Sequence, residues 1–97
     1  MKTLDEIKSI LQKQKDELSS RFSVKEIGIF GSFVHGEQDQ QSDIDILVEF
    51  KEPVGFFKFL DLEEFLGDLL GIKVDLVSRR ALKPFIGKHI LKEAVML

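Results

Sequence analysis

Cysteine is absent from this chain. It therefore has no disulfide framework and no thiolate metal site, a usage that fits the cytoplasm. No apolar stretch approaches the roughly 18 residues of a membrane span, and Met1-Lys2-Thr3-Leu4-Asp5-Glu6 lacks the apolar run and cleavage site of a secretory signal. Nor is there an excess of positive charge. Lys and Arg number 14 against 17 Asp and Glu, a formal net charge of -3, which argues against a broad basic surface for long nucleic acid. A short oligonucleotide or a nucleotide is compatible with that balance. What is present is ordinary globular material: 97 residues, 43% hydrophobic and 32% charged, without repeats or linkers. One domain spanning residues 1–97 is expected, burying about 60–65% of the surface of its unfolded chain.

Thr3 and Glu6 form the T-x-x-E pattern of a capping box, and Leu4, Ile7, Ile10, Leu11 and Leu18 follow helical spacing, predicting a helix over 4–19. Val24 to Phe30 reads as a strand that ends at Gly31 and leads into a short segment, Ser32 to His35, closed by Gly36. Residues 37–42 are polar and loop-like, and the next strand runs from Asp43 to Phe50. Pro53 and Gly55 punctuate the chain before an apolar helix that carries Phe56, Phe59, Leu62, Leu66 and Leu70 and is capped by Gly71. Ile72 to Val77 is a third strand. Pro84 suits the first turn of a final amphipathic helix that includes Phe85, Ile86, Ile90, Leu91, Ala94 and Val95. Strands alternating with helices predict an α/β (α+β) domain, with helices on one face of a sheet of three or slightly more strands and the other face free.

Chemistry concentrates in Ser42-Asp43-Ile44-Asp45-Ile46-Leu47-Val48. Successive side chains of a strand point to opposite faces, so Asp43 and Asp45 share one face, and Ile44, Ile46, Val48 and Phe50 share the other. The two acids stand roughly 6–7 Å apart by strand rise. At an effective dielectric of about 20 they repel by roughly 2.5 kcal/mol, which invites a hard divalent cation such as Mg²⁺. In Lys73-Val74-Asp75-Leu76-Val77 the same alternation sends Val74 and Leu76 to the core and Asp75 to the opposite side. Three carboxylates from two neighbouring strands can hold two metal ions in the arrangement used for phosphoryl and nucleotidyl transfer. Asp43 and Asp45 would bridge the ions and Asp75 would hold the one nearest the attacking hydroxyl. Gly31 lets a phosphate approach the backbone, and Ser32 with the amides after it can bind a triphosphate.

Two competing motifs fail. Gly31 to Gly36 has the spacing of a phosphate-loop start, but Glu37 and Gln38 replace its lysine and hydroxyl. An EF-hand would need an oxygen ligand at Leu47 and a glycine after Asp45. His35 and His89 read as solvated surface residues rather than bases, Phe56-Phe57-Phe59 as core, and Arg79, Arg80, Lys83 and Lys88 as a solvated face.

Ile29-Phe30-Gly31-Ser32-Phe33, then Ser42-Asp43-Ile44-Asp45-Ile46-Leu47-Val48-Glu49-Phe50, then Lys73-Val74-Asp75-Leu76-Val77 and the closing Glu93-Ala94-Val95 together resemble the minimal nucleotidyltransferases of the DNA polymerase beta-like superfamily. Small stand-alone members of that family are antitoxins paired with HEPN-domain ribonucleases. The resemblance implies transfer of AMP from ATP to a tyrosine of such a toxin, with Gly31 and Ser32 on the triphosphate and Asp43, Asp45 and Asp75 on two Mg²⁺ ions. His35 stands where the family often has arginine, which weakens a phosphate contact there. Two alternatives stay open: a non-catalytic antitoxin that acts by binding, and an adenylyltransferase for a small-molecule or RNA hydroxyl.

Overall fold

A computed structural model describes residues 2–39 and 41–97. The capping box is formed as expected: the Glu6 amide donates to Thr3 Oγ1 at 3.2 Å and the Thr3 amide to Glu6 Oε1 at 3.3 Å. The single helix predicted over 4–19 is instead two, α1 (Leu4–Lys13) and α2 (Lys15–Phe22). Residues 12–17 carry no apolar side chain, so no packing across that turn enforces continuity. The Gln14 amide bonds to the Leu11 carbonyl at 3.1 Å, which tightens the turn.

Helix α2 ends at Ser23, whose φ of 58° and ψ of 32° are left-handed. Among the described residues it is the one non-glycine with positive φ. A side chain there costs about 1–2 kcal/mol, partly offset by a hydrogen bond from Lys58 Nζ to its Oγ at 3.3 Å. Ser23→Gly is expected to raise stability by up to about 1 kcal/mol in urea titration; a lower midpoint would mean that the Lys58 contact outweighs the strain.

The remaining elements are β1 (Val24–Phe30), α3 (Ser32–His35), β2 (Ile44–Phe50), α4 (Phe56–Leu70), β3 (Val74–Ser78), a 3₁₀ turn (Arg79–Ala81), α5 (Pro84–Glu93) and β4 (Val95–Met96). They form a mixed four-stranded sheet in the order β3-β2-β1-β4. β2 and β3 are parallel and joined through α4, whereas β1 is antiparallel to both β2 and β4. The small mixed sheet agrees with the α/β (α+β) expectation, and β4 is the addition. Sequence reading gave Val95 to the last helix, but α5 stops at Glu93. Ala94 turns extended at φ -67° and ψ 139°, and Val95 then pairs with Ile29. Gly28, opposite Met96, has no Cβ to block that close pairing.

Ile44, Ile46 and Val48 of β2, Val74 and Leu76 of β3 and Ile27 and Ile29 of β1 join Ile7, Leu11, Leu18, Phe22, Leu62, Leu66 and Leu70 in one buried core. Helices α1, α2 and α4 therefore pack on a single face, and each fully buried aliphatic side chain contributes about 1.5–3 kcal/mol as an upper bound. By strand parity the other face carries Asp45, Leu47 and Glu49. Leu47 is buried there, outside the core cluster, so this face is not free along its whole length, contrary to expectation. Phe56 and Phe57 are exposed and so are not core; Phe59 alone of that trio packs inward, 6.4 Å from Phe50 between ring centroids. Because α4 starts at Phe56, its buried positions, Leu62, Leu66 and Leu70, recur every four residues, and Phe56 and Phe57 fall outside that stripe.

One helix residue supports an edge strand. Glu63 of α4, half-buried, accepts the Leu76 amide of β3 at 3.0 Å, on the strand edge that β2 does not occupy.

Candidate active site

Parallel pairing of β2 with β3 sets Asp45 directly beside Asp75, one register step from the Ile44 and Val74 pair. On its other side Asp45 pairs with Phe30, the last residue of β1. Gly31 follows with φ 76° and ψ -148°, a backbone region open essentially to glycine alone. A Cβ at Gly31 would also run into the Asp45 carboxylate, 3.1 Å from its Cγ. Gly31 is thus held against Asp45 by shape, and Ser32 opens α3, with Phe33 buried behind it as an anchor.

Asp43 and Asp75 are exposed, and Asp45 is half-buried between them. Burial pushes the Asp45 carboxyl above the ordinary aspartate range, and the nearby Asp75 and Asp43 charges and a hydrogen bond with Asp75 raise it further. Asp43 does not complete a tight trio. Its carboxylate lies 4.0 Å from Lys73 Nζ, and among the described residues no three Asp, Glu, His or Cys side chains gather around one point. The structure therefore places Asp75 and Gly31 each against Asp45, has Ser32 follow Gly31 at the start of α3, and leaves Asp43 on the same strand side but paired with Lys73.

Lys73, Glu93 and Glu49 also stand near the site, though the sequence reading gave them no role there. Lys73 follows from the register: with Ile44 opposite Val74, Asp43 must stand next to Lys73. Glu93, the last residue of α5, accepts from His35 Nε2 at 3.2 Å and stands 3.6 Å from His89 Nε2. Both histidines lie exposed at the surface, as expected, and share this carboxylate. Glu49, four residues past Asp45 on the same face, pairs with Arg79 at 3.1 Å and Lys25 at 3.9 Å. Arg79 is accordingly tied to the acid face rather than lying on an unengaged surface.

Residues 11–97 match the family model of the nucleotidyltransferase domain. The chain belongs to this family. This nucleotidyltransferase is 54% identical over 95 residues to the protein adenylyltransferase MntA of Thermococcus cleftensis, a match spanning 98% of this chain and 96% of the relative. Among solved structures it resembles a candidate minimal nucleotidyltransferase with a TM-score of 0.77 and 32% identity, over 94% of this chain and 95% of the other. A complex of tri-AMPylated Shewanella oneidensis HEPN toxin with its MNT antitoxin matches with a TM-score of 0.65 and 21% identity, over 93% of this chain and 66% of that one. That last likeness is one of fold. No helix among the described residues of the nucleotidyltransferase is long and apolar enough to cross a membrane.

Proposed function

We propose that this nucleotidyltransferase moves AMP from ATP to a tyrosine hydroxyl of a HEPN-domain toxin and thereby acts as its antitoxin. The observation that carries the reading is the in-register pair Asp45 and Asp75 with Gly31 closed against Asp45, in a chain 54% identical to a named protein adenylyltransferase. The HEPN partner is supported by the AMPylated toxin in the complex of similar fold.

The donor set fits a hard cation. It offers only carboxylate oxygens, and burial together with like-charge repulsion from Asp75 and Asp43 pushes Asp45 upward, a repulsion that a cation would relieve. Asp43, Asp45 and Asp75 would hold two Mg²⁺ ions, which would supply positive charge against the phosphate oxygens and the acceptor oxygen. The chain's own residues do the positioning. Gly31 leaves room for phosphate beside Asp45, the Ser32 hydroxyl donates to a phosphate oxygen, and exposed Asp75 takes the acceptor side. The tyrosine oxygen bonds to the α-phosphorus, the bond to the β-phosphate oxygen breaks, pyrophosphate departs, and the phenolic proton passes to the Asp75 carboxylate.

Intact-mass analysis of a HEPN toxin incubated with this chain, ATP and Mg²⁺ tests the reading, with one or more adenylyl additions expected on tyrosine. These 97 residues hold no tyrosine, so tyrosyl adducts cannot be confused with self-modification. Asp75→Asn should still bind toxin and ATP yet add nothing. An unmodified toxin that is nonetheless fully inhibited by stoichiometric binding would replace catalysis with occlusion. Ser32→Ala should slow transfer by about 10–150-fold, the loss of one charge-assisted hydrogen bond of roughly 1.5–3 kcal/mol. Nucleotide trapped covalently on Ser32 and chased to product would contradict its role as a phosphate donor.

A further inference from the structure

Helix α3 carries Ser32, yet at four residues it is a single turn, too short to hold its shape alone. The Val34 and His35 amides donate to the Gly31 carbonyl at 3.1 and 3.4 Å, and the Glu37 amide to the Ser32 carbonyl at 3.0 Å. Gly31 and Gly36 bound the turn, both at positive φ. What fixes its orientation is therefore tertiary. Phe33, 2% exposed, is one anchor, seated in the core. At 3.6 residues per turn His35 points to roughly the opposite side from Phe33, and there its Nε2 donates to Glu93 Oε2 at 3.2 Å.

Glu93 is itself a fixed point. It ends α5, and just beyond it Val95 pairs with Ile29 of β1 and the Leu97 amide donates to the Ile27 carbonyl at 3.0 Å. Its other oxygen, Oε1, lies 3.6 Å from His89 Nε2, one helical turn back. The same strand, β1, runs directly into Gly31 and α3. The chain thus closes on itself: β1 carries α3, β4 is paired to β1, and the contact of His35 with Glu93 joins the two free ends. Ser32 and His35 stand at i and i+3, on one face of the turn. The residue that Glu93 holds is therefore the neighbour of the hydroxyl assigned to phosphate. We propose that Glu93 is a positioning residue for ATP, which by holding His35 sets the orientation of α3 and so of the Ser32 hydroxyl. This role rests on the assignment of Ser32 to the triphosphate. With Nε2 engaged by the carboxylate, His35 serves the site through α3 rather than by reaching a phosphate.

Calorimetric titration of the chain with ATP and Mg²⁺, together with hydrogen exchange of the α3 amides, tests it. The His35 and Glu93 side chains are 43% and 39% exposed, so the contact has the modest worth of a surface pair. Glu93→Ala is accordingly expected to weaken ATP binding about two- to fivefold and to speed exchange at Val34, His35 and Glu37. His35→Ala should do the same. Glu93→Gln loses the charge but keeps an oxygen for the Nε2 proton, and should bind and exchange as the parent does. In a Ser32→Ala background Glu93→Ala should weaken ATP no further, because the group it places is gone. Circular dichroism verifies that each variant folds. Parental ATP affinity in Glu93→Ala overturns the proposal, as does unchanged exchange at α3. Tighter ATP binding in both Glu93 variants overturns it too, reducing Glu93 to a charge that repels phosphate. An effect undiminished in the Ser32→Ala background rules out the route through Ser32. A parent that binds no ATP is a different result: it removes the nucleotide reading itself, and this role with it.

Discussion

Asp45→Asn is expected to reduce nucleotidyl transfer by at least about 10²–10³-fold while melting higher than the parent at neutral pH. The two effects have one origin. Burial and the Asp75 and Asp43 charges raise the Asp45 carboxyl in the folded state, so the folded chain binds that proton more tightly than the unfolded chain does. The contribution to stability is then fully present below the ordinary aspartate range near pH 4 and is lost as pH rises through the raised value. At neutral pH the parent carries a charge that its fold disfavours, and the amide removes it. In chelator, the melting-temperature advantage of Asp45→Asn should be present at pH 7 and fade below about pH 4, where the carboxyl of the parent is protonated. Adding Mg²⁺ and ATP should stabilise the parent and reverse the order. Equal melting offsets at both pH values, or transfer retained at parental rate, would dismiss Asp45 as the strained centre of the site.

Gly31→Ala should lose transfer to a similar extent and, unlike Ser32→Ala, should also destabilise the fold by about 1–3 kcal/mol. At φ 76° and ψ -148° an alanine is strained whatever space surrounds it, and its Cβ would meet the Asp45 carboxylate. Relief requires either the turn or the β2 carboxylate to move, and each change disrupts the site. Urea titration of the two variants beside the parent separates the cases: Ser32→Ala should unfold with the parent and Gly31→Ala earlier. A Gly31→Ala protein with parental stability and rate would show that the turn tolerates a side chain and has no steric role in the site.

Much of this site was legible because strand alternation is strict. Once Ile44, Ile46 and Val48 were assigned to the core, Asp43 and Asp45 had to face away, and Val74 and Leu76 fixed Asp75 by the same parity. Gly31 was legible as a break, but its collision with Asp45 depends on the turn's dihedrals, which no spacing encodes. The pairing of Asp45 with Asp75 needed the parallel register of two strands separated by a helix. So did the neighbour of Asp43: Lys73 comes to it across strands, not along the sequence. Glu93 reaches His35 only because α5 ends beside β1, where Val95 turns extended and pairs with Ile29. A two-residue strand has no period to recognise, so Val95 was read as the end of the last helix. The division at Gln14 was equally silent, since Ile7, Leu11, Leu18 and Phe22 keep a helical phase across it.

The carboxylate of Glu63 on the Leu76 amide also decides how this protein can be met by others. A strand arriving beside β3 would need that amide, and would have to displace a charged acceptor already seated on it and leave that charge without its donor. The opposite border is β4, only two residues long, too short to template a new strand. At the Leu76 point of the β3 border a foreign strand meets a charged acceptor instead of a free amide, a local obstacle to the edge-to-edge stacking that begins aggregation.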